Sequence, residues 1–192
     1  MRAPDAPAEA VRPDHEAAPD VVRFWQEAGP DRWFAKDPAF DAAFRERFID
    51  LHFAAARREL DAWLDTPESA LALLLLLDQF PRNAFRGTGH MYATDPLARW
   101  AAAEVLERGH DQRLDPSLRL FCYLPFSHSE SLVDQERSLS CNRRLGEPFI
   151  SHALAHREII LRFGRFPHRN AMLGRSTTAR ERLFLEQGGF AG

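Results

Sequence analysis

Lysine is nearly missing from this chain: Lys36 stands alone, so 24 of the 25 basic residues are arginine. With 28 acidic residues the formal net charge is −3, and neither a basic tail nor a groove interleaving basic and aromatic residues is present. That balance argues against nucleic acid and anionic membrane surfaces as partners. Cysteine is equally scarce. Cys122 and Cys141 form no C-x-x-C pair, which excludes a disulfide framework or a cysteine metal site and points to a reduced, cytoplasmic protein. The most apolar run, Leu71 to Leu77, falls far short of the roughly 20 residues of a membrane span and is read as a fully buried helix. Residues 1–19, rich in alanine, proline and aspartate, lack the apolar centre of a signal peptide and are expected to form a disordered tail. Residues 188–192 are expected to be a flexible C-terminus, too short to carry a partner motif. No stretch alternates polar and apolar residues, so no strand is expected.

Proline, by contrast, is frequent and well placed. Asp37-Pro38, Thr66-Pro67, Asp95-Pro96, Asp115-Pro116 and Glu147-Pro148 each set a polar side chain before a proline. Such pairs open helices, because the side chain satisfies orphan amides and proline at the first helical position has no N–H to lose. Gly29, Gly109, Gly146, Gly164 and Gly188 follow periodic apolar stretches and read as helix stops. The predicted helices are 20–28, 38–63 with a break, 67–79, 96–108, 116–124, 129–145, 148–163 and 177–187. Phe40, Phe44, Phe48 and Leu51 step by three and four, and 15 phenylalanines with four tryptophans supply the interfaces between helices. The reading is a single all-α domain over 20–187, built of antiparallel neighbouring helices. Starts at 38, 67 and 96 are evenly spaced and suggest helix-pair repeats, but 116 and 148 break the period.

Two segments repeat one another: Leu77-Asp-Gln-Phe-Pro-Arg-Asn-Ala-Phe-Arg-Gly87 and Arg162-Phe-Gly-Arg-Phe-Pro-His-Arg-Asn-Ala-Met-Leu-Gly-Arg175. Each closes an apolar run with Phe-Pro, which should end a helix, and then presents arginine and asparagine. If the two turns meet, Arg82, Arg86, Arg165, Arg169 and Arg175 converge on one face, with Asn83, Asn170 and His168 as neutral donors, and can bind an anion. The structural alternative pairs these arginines with Asp78, Asp95 or Glu130 and fixes the junctions. Five arginines against three acids would leave charge for a ligand to balance. Asp78, ending a leucine-rich helix beside Gln79, is expected to pair internally, most naturally with arginines of the second junction.

A third polar knot, Pro125-Phe-Ser-His-Ser-Glu-Ser131, is expected to open the helix at 129–145. There His128 could be a general acid or base, oriented by Glu130 or Asp78, with Arg169 holding a substrate anion. Capping by the serines is the plainer account. Ser127 and Ser129 lie in no Gly-x-Ser-x-Gly turn, which argues against a nucleophile-elbow hydrolase. His152 and His156, four apart near Glu158, have a spacing that permits a metal ion but lack the His-Glu-x-x-His arrangement, so no metal or other cofactor is expected. His156 is expected to bond Glu130 or a junction carbonyl, with His152 exposed.

Phe24-Trp25, Trp33-Phe34 with Asp37 and Phe40-Asp41, the Leu77–Asn83 motif, Pro125–Glu130 and Phe163–Asn170 with Leu173-Gly-Arg175 together resemble a bacterial family known as domain of unknown function 924, over about residues 20 to 187. The resemblance implies an all-helical, tetratricopeptide-like fold, a right-handed array of antiparallel helix pairs. The family carries no assigned activity, so function rests on the residues. Two classes follow: a helical module whose pocket holds a small anionic ligand or a peptide carboxylate, or an enzyme using His128 with arginine clamps. A protein–protein scaffold with purely structural motifs is the third.

Overall fold

The computed structural model describes residues 17–190, and within them the chain is helical without a strand. Ten α-helices follow in order: α1 (Ala18–Ala28), α2 (Pro30–Trp33), α3 (Pro38–Ala56), α4 (Pro67–Leu74), α5 (Phe80–Ala84), α6 (Asp95–Glu107), α7 (Leu120–Ser127), α8 (Leu132–Asn142), α9 (Phe149–Phe163) and α10 (Ala179–Glu186). Residues 1–16 of the expected tail lie outside the described residues, and α1 begins at Ala18, before the predicted 20. None of the described helices is long and apolar enough to cross a membrane.

Several polar-proline pairs do cap helices. Asp37 accepts from the amides of Ala39 and Phe40 at 3.0 and 3.1 Å, and Thr66 accepts from Ser69 at 3.4 Å. Asp95 is different: it sits inside the first turn of α6, after Thr94, and its carboxylate points elsewhere. The break expected in 38–63 falls at Arg57–Leu60, where Arg58 adopts a left-handed φ of 65° before a 3-10 turn over Asp61–Asp65. Helix α8 is shorter than its predicted 129–145 because Gln135 ties down the preceding turn: its Nε2 donates to the carbonyls of Ser127 at 2.8 Å and Ser129 at 2.7 Å.

The first Phe-Pro junction corrects a sequence expectation. Pro81 does not stop the helix; α4 runs through a π turn over Leu75–Gln79 directly into α5. In the wide turn the amide of Phe80 reaches the carbonyl of Leu75, five residues back. Proline has no N–H for the carbonyls of Leu76 and Leu77, which are satisfied by His52 Nδ1 at 2.9 Å and Thr94 Oγ1 at 2.6 Å. Tertiary side chains thus satisfy two carbonyls of a turn in which proline supplies no donor. Pro125 is likewise inside α7, which ends at Ser127 and not at the predicted 124. Only the second junction stops as read: α9 ends at Gly164, in the left-handed conformation at φ 70°, and Pro167 begins a 3-10 turn.

Leu71 to Leu77 are buried on every side, as a helix apolar all round must be. Phe24, Phe40, Phe44 and Phe48 pack ring to ring at 5.1–5.8 Å with one another and against Trp25 and Phe80. Helix α1 lies on α4, and α3 on α5, while α6 packs on α7, α7 on α8 and α8 on α9. This second run carries the chain back, so that the turn after α9 meets α5 and α6.

Candidate functional site

Both Phe-Pro junctions meet at Asp95. Its carboxylate accepts from Arg82 Nη2 at 2.8 Å and from Arg169 Nη1 at 3.1 Å, joining the two similar motifs through a residue that belongs to neither. Asp78 was expected to make that link. Instead Arg82, one helical turn away, reaches Asp78 at 3.0 Å, while Gln79 Nε2 donates to the same carboxylate at 2.6 Å. Arg169 is further held by the His128 carbonyl at 2.9 Å, and its guanidinium stacks on Tyr92 and Phe166, 4.5 and 4.7 Å from the ring centroids.

The charge surplus read from the sequence is not present. Asp41, from α3, accepts from Arg86 at 2.8 and 3.1 Å and from Asn83 at 2.7 Å. Glu181, from α10, accepts from Arg165 at 2.6 and 2.9 Å. Glu130 accepts from Arg175 at 2.6 and 2.9 Å, and Arg175 also donates to Asn170 Oδ1 at 3.0 Å. Each of the five arginines therefore has a carboxylate, and two of these, Asp41 and Glu181, lie outside the three acids counted from the sequence.

His128 sits at the C-terminal cap of α7, not at the start of the next helix, which begins at Leu132. Glu130 does not orient it, being occupied by Arg175 and by the Phe166 amide at 2.7 Å. Asp78 does: His128 Nδ1 donates to its Oδ1 at 2.8 Å. His156 bonds neither Glu130 nor a junction carbonyl, but the carbonyl of His152 one turn before it, at 2.8 Å. Ser127 Oγ is engaged with Ser138 Oγ at 2.6 Å, and Ser129 Oγ donates to Asp134 at 2.6 Å, so neither serine is poised as a nucleophile.

In front of these pairs lies a cavity of about 670 Å³. Eight of the thirteen candidate residues line it: Gln79, Arg82, Asn83 and Arg86 from the first junction, Arg169 and His168 from the second, and His128 and His156 between them. Asp78, Glu130, Arg165, Asn170 and Arg175 do not reach it; they stand behind its wall or brace the turn after α9. The rest of the lining is largely apolar, with the aromatic rings of Trp33, Phe34, Tyr92, Phe149, Phe166 and Phe190 among it.

The sequence matches the family of bacterial proteins of unknown function DUF924 over residues 21–189. The chain belongs to this family. A solved structure of a protein of unknown function, ATU0120 from Agrobacterium tumefaciens, is 61% identical and superposes with a TM-score of 0.88, covering 90% of this chain and 98% of that one. No curated protein matches.

Burial sets the protonation states of this DUF924 site. It alone would raise the pKa of Asp78, but Arg82 and His128 outweigh it and hold the carboxyl at about 2. Burial, then the Arg82 charge, push His128 below its ordinary value against the pull of Asp78. Burial lowers His156 to about 4, and burial with the neighbouring Arg169 lowers His168 to about 3. All three imidazoles are neutral at neutral pH. Among the described residues no three His, Cys, Asp or Glu side chains are placed to hold a metal ion.

Sequence reasoning missed Asp41, Tyr92 and Gln135. The Gln135 signal was present: Gln135, Ser138 and Asn142 step by three and four along α8, and all three are buried. A polar stripe on the inner face of a helix marks a turn that needs its carbonyls satisfied. Tyr92 carried no such signal, since its position over Arg169 is set by a 3-10 turn, Gly89–Tyr92, that depends on tertiary contacts.

Proposed function

We propose that the cavity binds a small organic acid with an aromatic or branched apolar body. One arrangement carries this reading: Arg82, Arg86 and Arg169 line an apolar and aromatic cavity, and the carboxylates of Asp78 and Asp41 are more deeply set than Arg82 and Arg86, so that wall presents positive edges inward. Arg169 Nε and His168 Nδ1 are buried without a hydrogen-bond partner among the described residues. A cavity of this size with few polar groups is the usual form of a small-molecule site. Bulk inorganic anions fit less well, because the apolar and aromatic lining would stay uncovered. The helices α6 to α9, each packed on its successor, support a tetratricopeptide-like array for this half of the chain.

Thermal unfolding against aryl and acyl carboxylates, inorganic phosphate and nucleotides, beside Arg86→Gln, tests the reading. A matching acid at a hundredfold its dissociation constant adds about 2.7 kcal/mol of stability. The effect is expected from apolar carboxylates, absent with phosphate, and weakened by Arg86→Gln. Stabilisation by phosphate alone, or by none of the compounds, would overturn it.

A second reading, acid–base chemistry, is favoured by one observation: among the described residues His128 Nε2 has no hydrogen bond, while Asp78 holds the opposite nitrogen. Hydrolysis or proton exchange of a bound acid derivative that disappears in His128→Gln would test it; a His128→Gln protein of unchanged turnover would remove it.

A further inference from the structure

The tautomers of two imidazoles specify more about the ligand than its charge. The Asp78 carboxylate is a hydrogen-bond acceptor only, so the His128 Nδ1 that meets it at 2.8 Å carries the proton. The His152 carbonyl is likewise only an acceptor, so His156 Nδ1, 2.8 Å away, carries one too. In a neutral imidazole the other nitrogen is then a bare lone pair. Both rings line the same cavity, and among the described residues neither Nε2 is bonded to a protein group. The burial that keeps both rings neutral is consistent with this assignment.

We infer that the cavity is specific for acids that carry a hydrogen-bond donor near the carboxylate, 2-hydroxy acids or N-acyl amino acids with an apolar side chain, with the bare Nε2 of His156 as the acceptor of that donor. The inference rests on the acid-binding reading above and deepens it. Three kinds of lining divide the work. Arg82, Arg86 and Asn83 are the donors for the carboxylate, the His156 lone pair accepts the O–H or N–H, and Trp33, Phe149 and Phe166 cover the side chain. A simple acid would leave the His156 lone pair desolvated and unpaired, which is where discrimination arises. Arg86 is not needed for the distinction, so charge and donor recognition can be separated by experiment.

The matched probes are 3-phenylpropionate and 2-hydroxy-3-phenylpropionate, which differ by one hydroxyl, titrated into the wild-type protein and His156→Phe by calorimetry at pH 7.5. The hydroxy acid is expected to bind about tenfold tighter to wild type, the worth of one hydrogen bond of about 1.4 kcal/mol, and the ratio should collapse toward one in His156→Phe. Equal affinities in wild type would overturn this inference while leaving acid binding intact; no binding of either probe would count against both readings. A measurement without ligand or variant guards against loss of folding: nitrogen-15 correlation spectra of the imidazoles should show His128 and His156 protonated at Nδ1 and bare at Nε2. The opposite tautomer at His156 would also overturn the inference.

Discussion

Replacing Asp95 by asparagine removes one charge and keeps the shape, and the effect can be worked from its two partners. Arg82 Nη2 and Arg169 Nη1 lie 2.8 and 3.1 Å from the carboxylate, with side-chain exposures of 15% and 7% against 9% for Asp95. Arg82 keeps Asp78 at 3.0 Å, so its loss is partial. Arg169 keeps only the His128 carbonyl and the faces of Tyr92 and Phe166, so an almost fully buried cation loses its counter-charge. Breaking one partner of a buried pair costs about 3–5 kcal/mol. That is a large part of the total stability of an ordinary domain, about 5–15 kcal/mol. The assay is urea unfolding of Asp95→Asn, Arg169→Met and the double variant. Because Arg169→Met removes the charge that Asp95 compensates, the double variant should be less destabilised than the sum by about 1.5–3 kcal/mol. The exposed pair Arg86–Asp41, with Arg86 35% exposed, should couple by at most about 1 kcal/mol in the same cycle. Additive effects at Asp95 and Arg169, or an Asp95→Asn cost below about 1 kcal/mol, would refute the view that this carboxylate joins the two junctions.

Other outcomes follow from the same geometry. Thr94→Val leaves the Leu77 carbonyl unpaired and should cost about 1–3 kcal/mol; adding Pro81→Ala restores a backbone donor, so the double variant should be more stable than Thr94→Val alone in urea unfolding. His156 and His168 have folded pKa values of about 4 and about 3, below the unfolded value near 6.5. The unfolded chain therefore binds their protons more readily, so their contribution is whole above pH 6.5 and is lost as pH falls through that window, by up to about 1.4 kcal/mol per unit each. Asp78, held at about 2, adds a further loss below about pH 4; unfolding midpoints that stay flat from pH 7.5 to 4.5 would contradict this. A methyl group at Gly89 would sit 2.9 Å from the Met172 carbonyl oxygen, so Gly89→Ala should cost about 1–3 kcal/mol and disturb Tyr92, seen as a lowered melting temperature and an altered near-ultraviolet tyrosine signal.

The all-helical class was legible because polar-proline starts, glycine stops and a 3.6-residue apolar period agree along the chain. The convergence of the two Phe-Pro motifs was legible in their similarity, and eight of the thirteen candidate residues line one cavity. What could not be read was the partner of each arginine. Asp41 and Glu181 join the network from α3 and α10, and no local pattern distinguishes a carboxylate that faces another helix from one that faces water. Pro81 misled for a physical reason. A proline ends a helix only when nothing else can satisfy the carbonyls it orphans, and here His52 and Thr94, 24 and 17 residues from those carbonyls, do so. His128 was placed at the wrong helix end because the buried Gln135 side chain, not a serine cap, shapes its turn.

The indole resonances give the most direct test of the cavity as a ligand site. Trp33 lines it and donates from Nε1 to the Trp25 carbonyl at 2.6 Å, whereas Trp63 is buried away from it in the core. In nitrogen–proton correlation spectra, titration with 2-hydroxy-3-phenylpropionate should move the Trp33 indole signal and the Arg169 Nε signal along a saturable curve while leaving Trp63 in place. No saturable shift at Trp33, or equal shifts of all the indoles, would contradict the central claim that this DUF924 cavity binds a small organic acid.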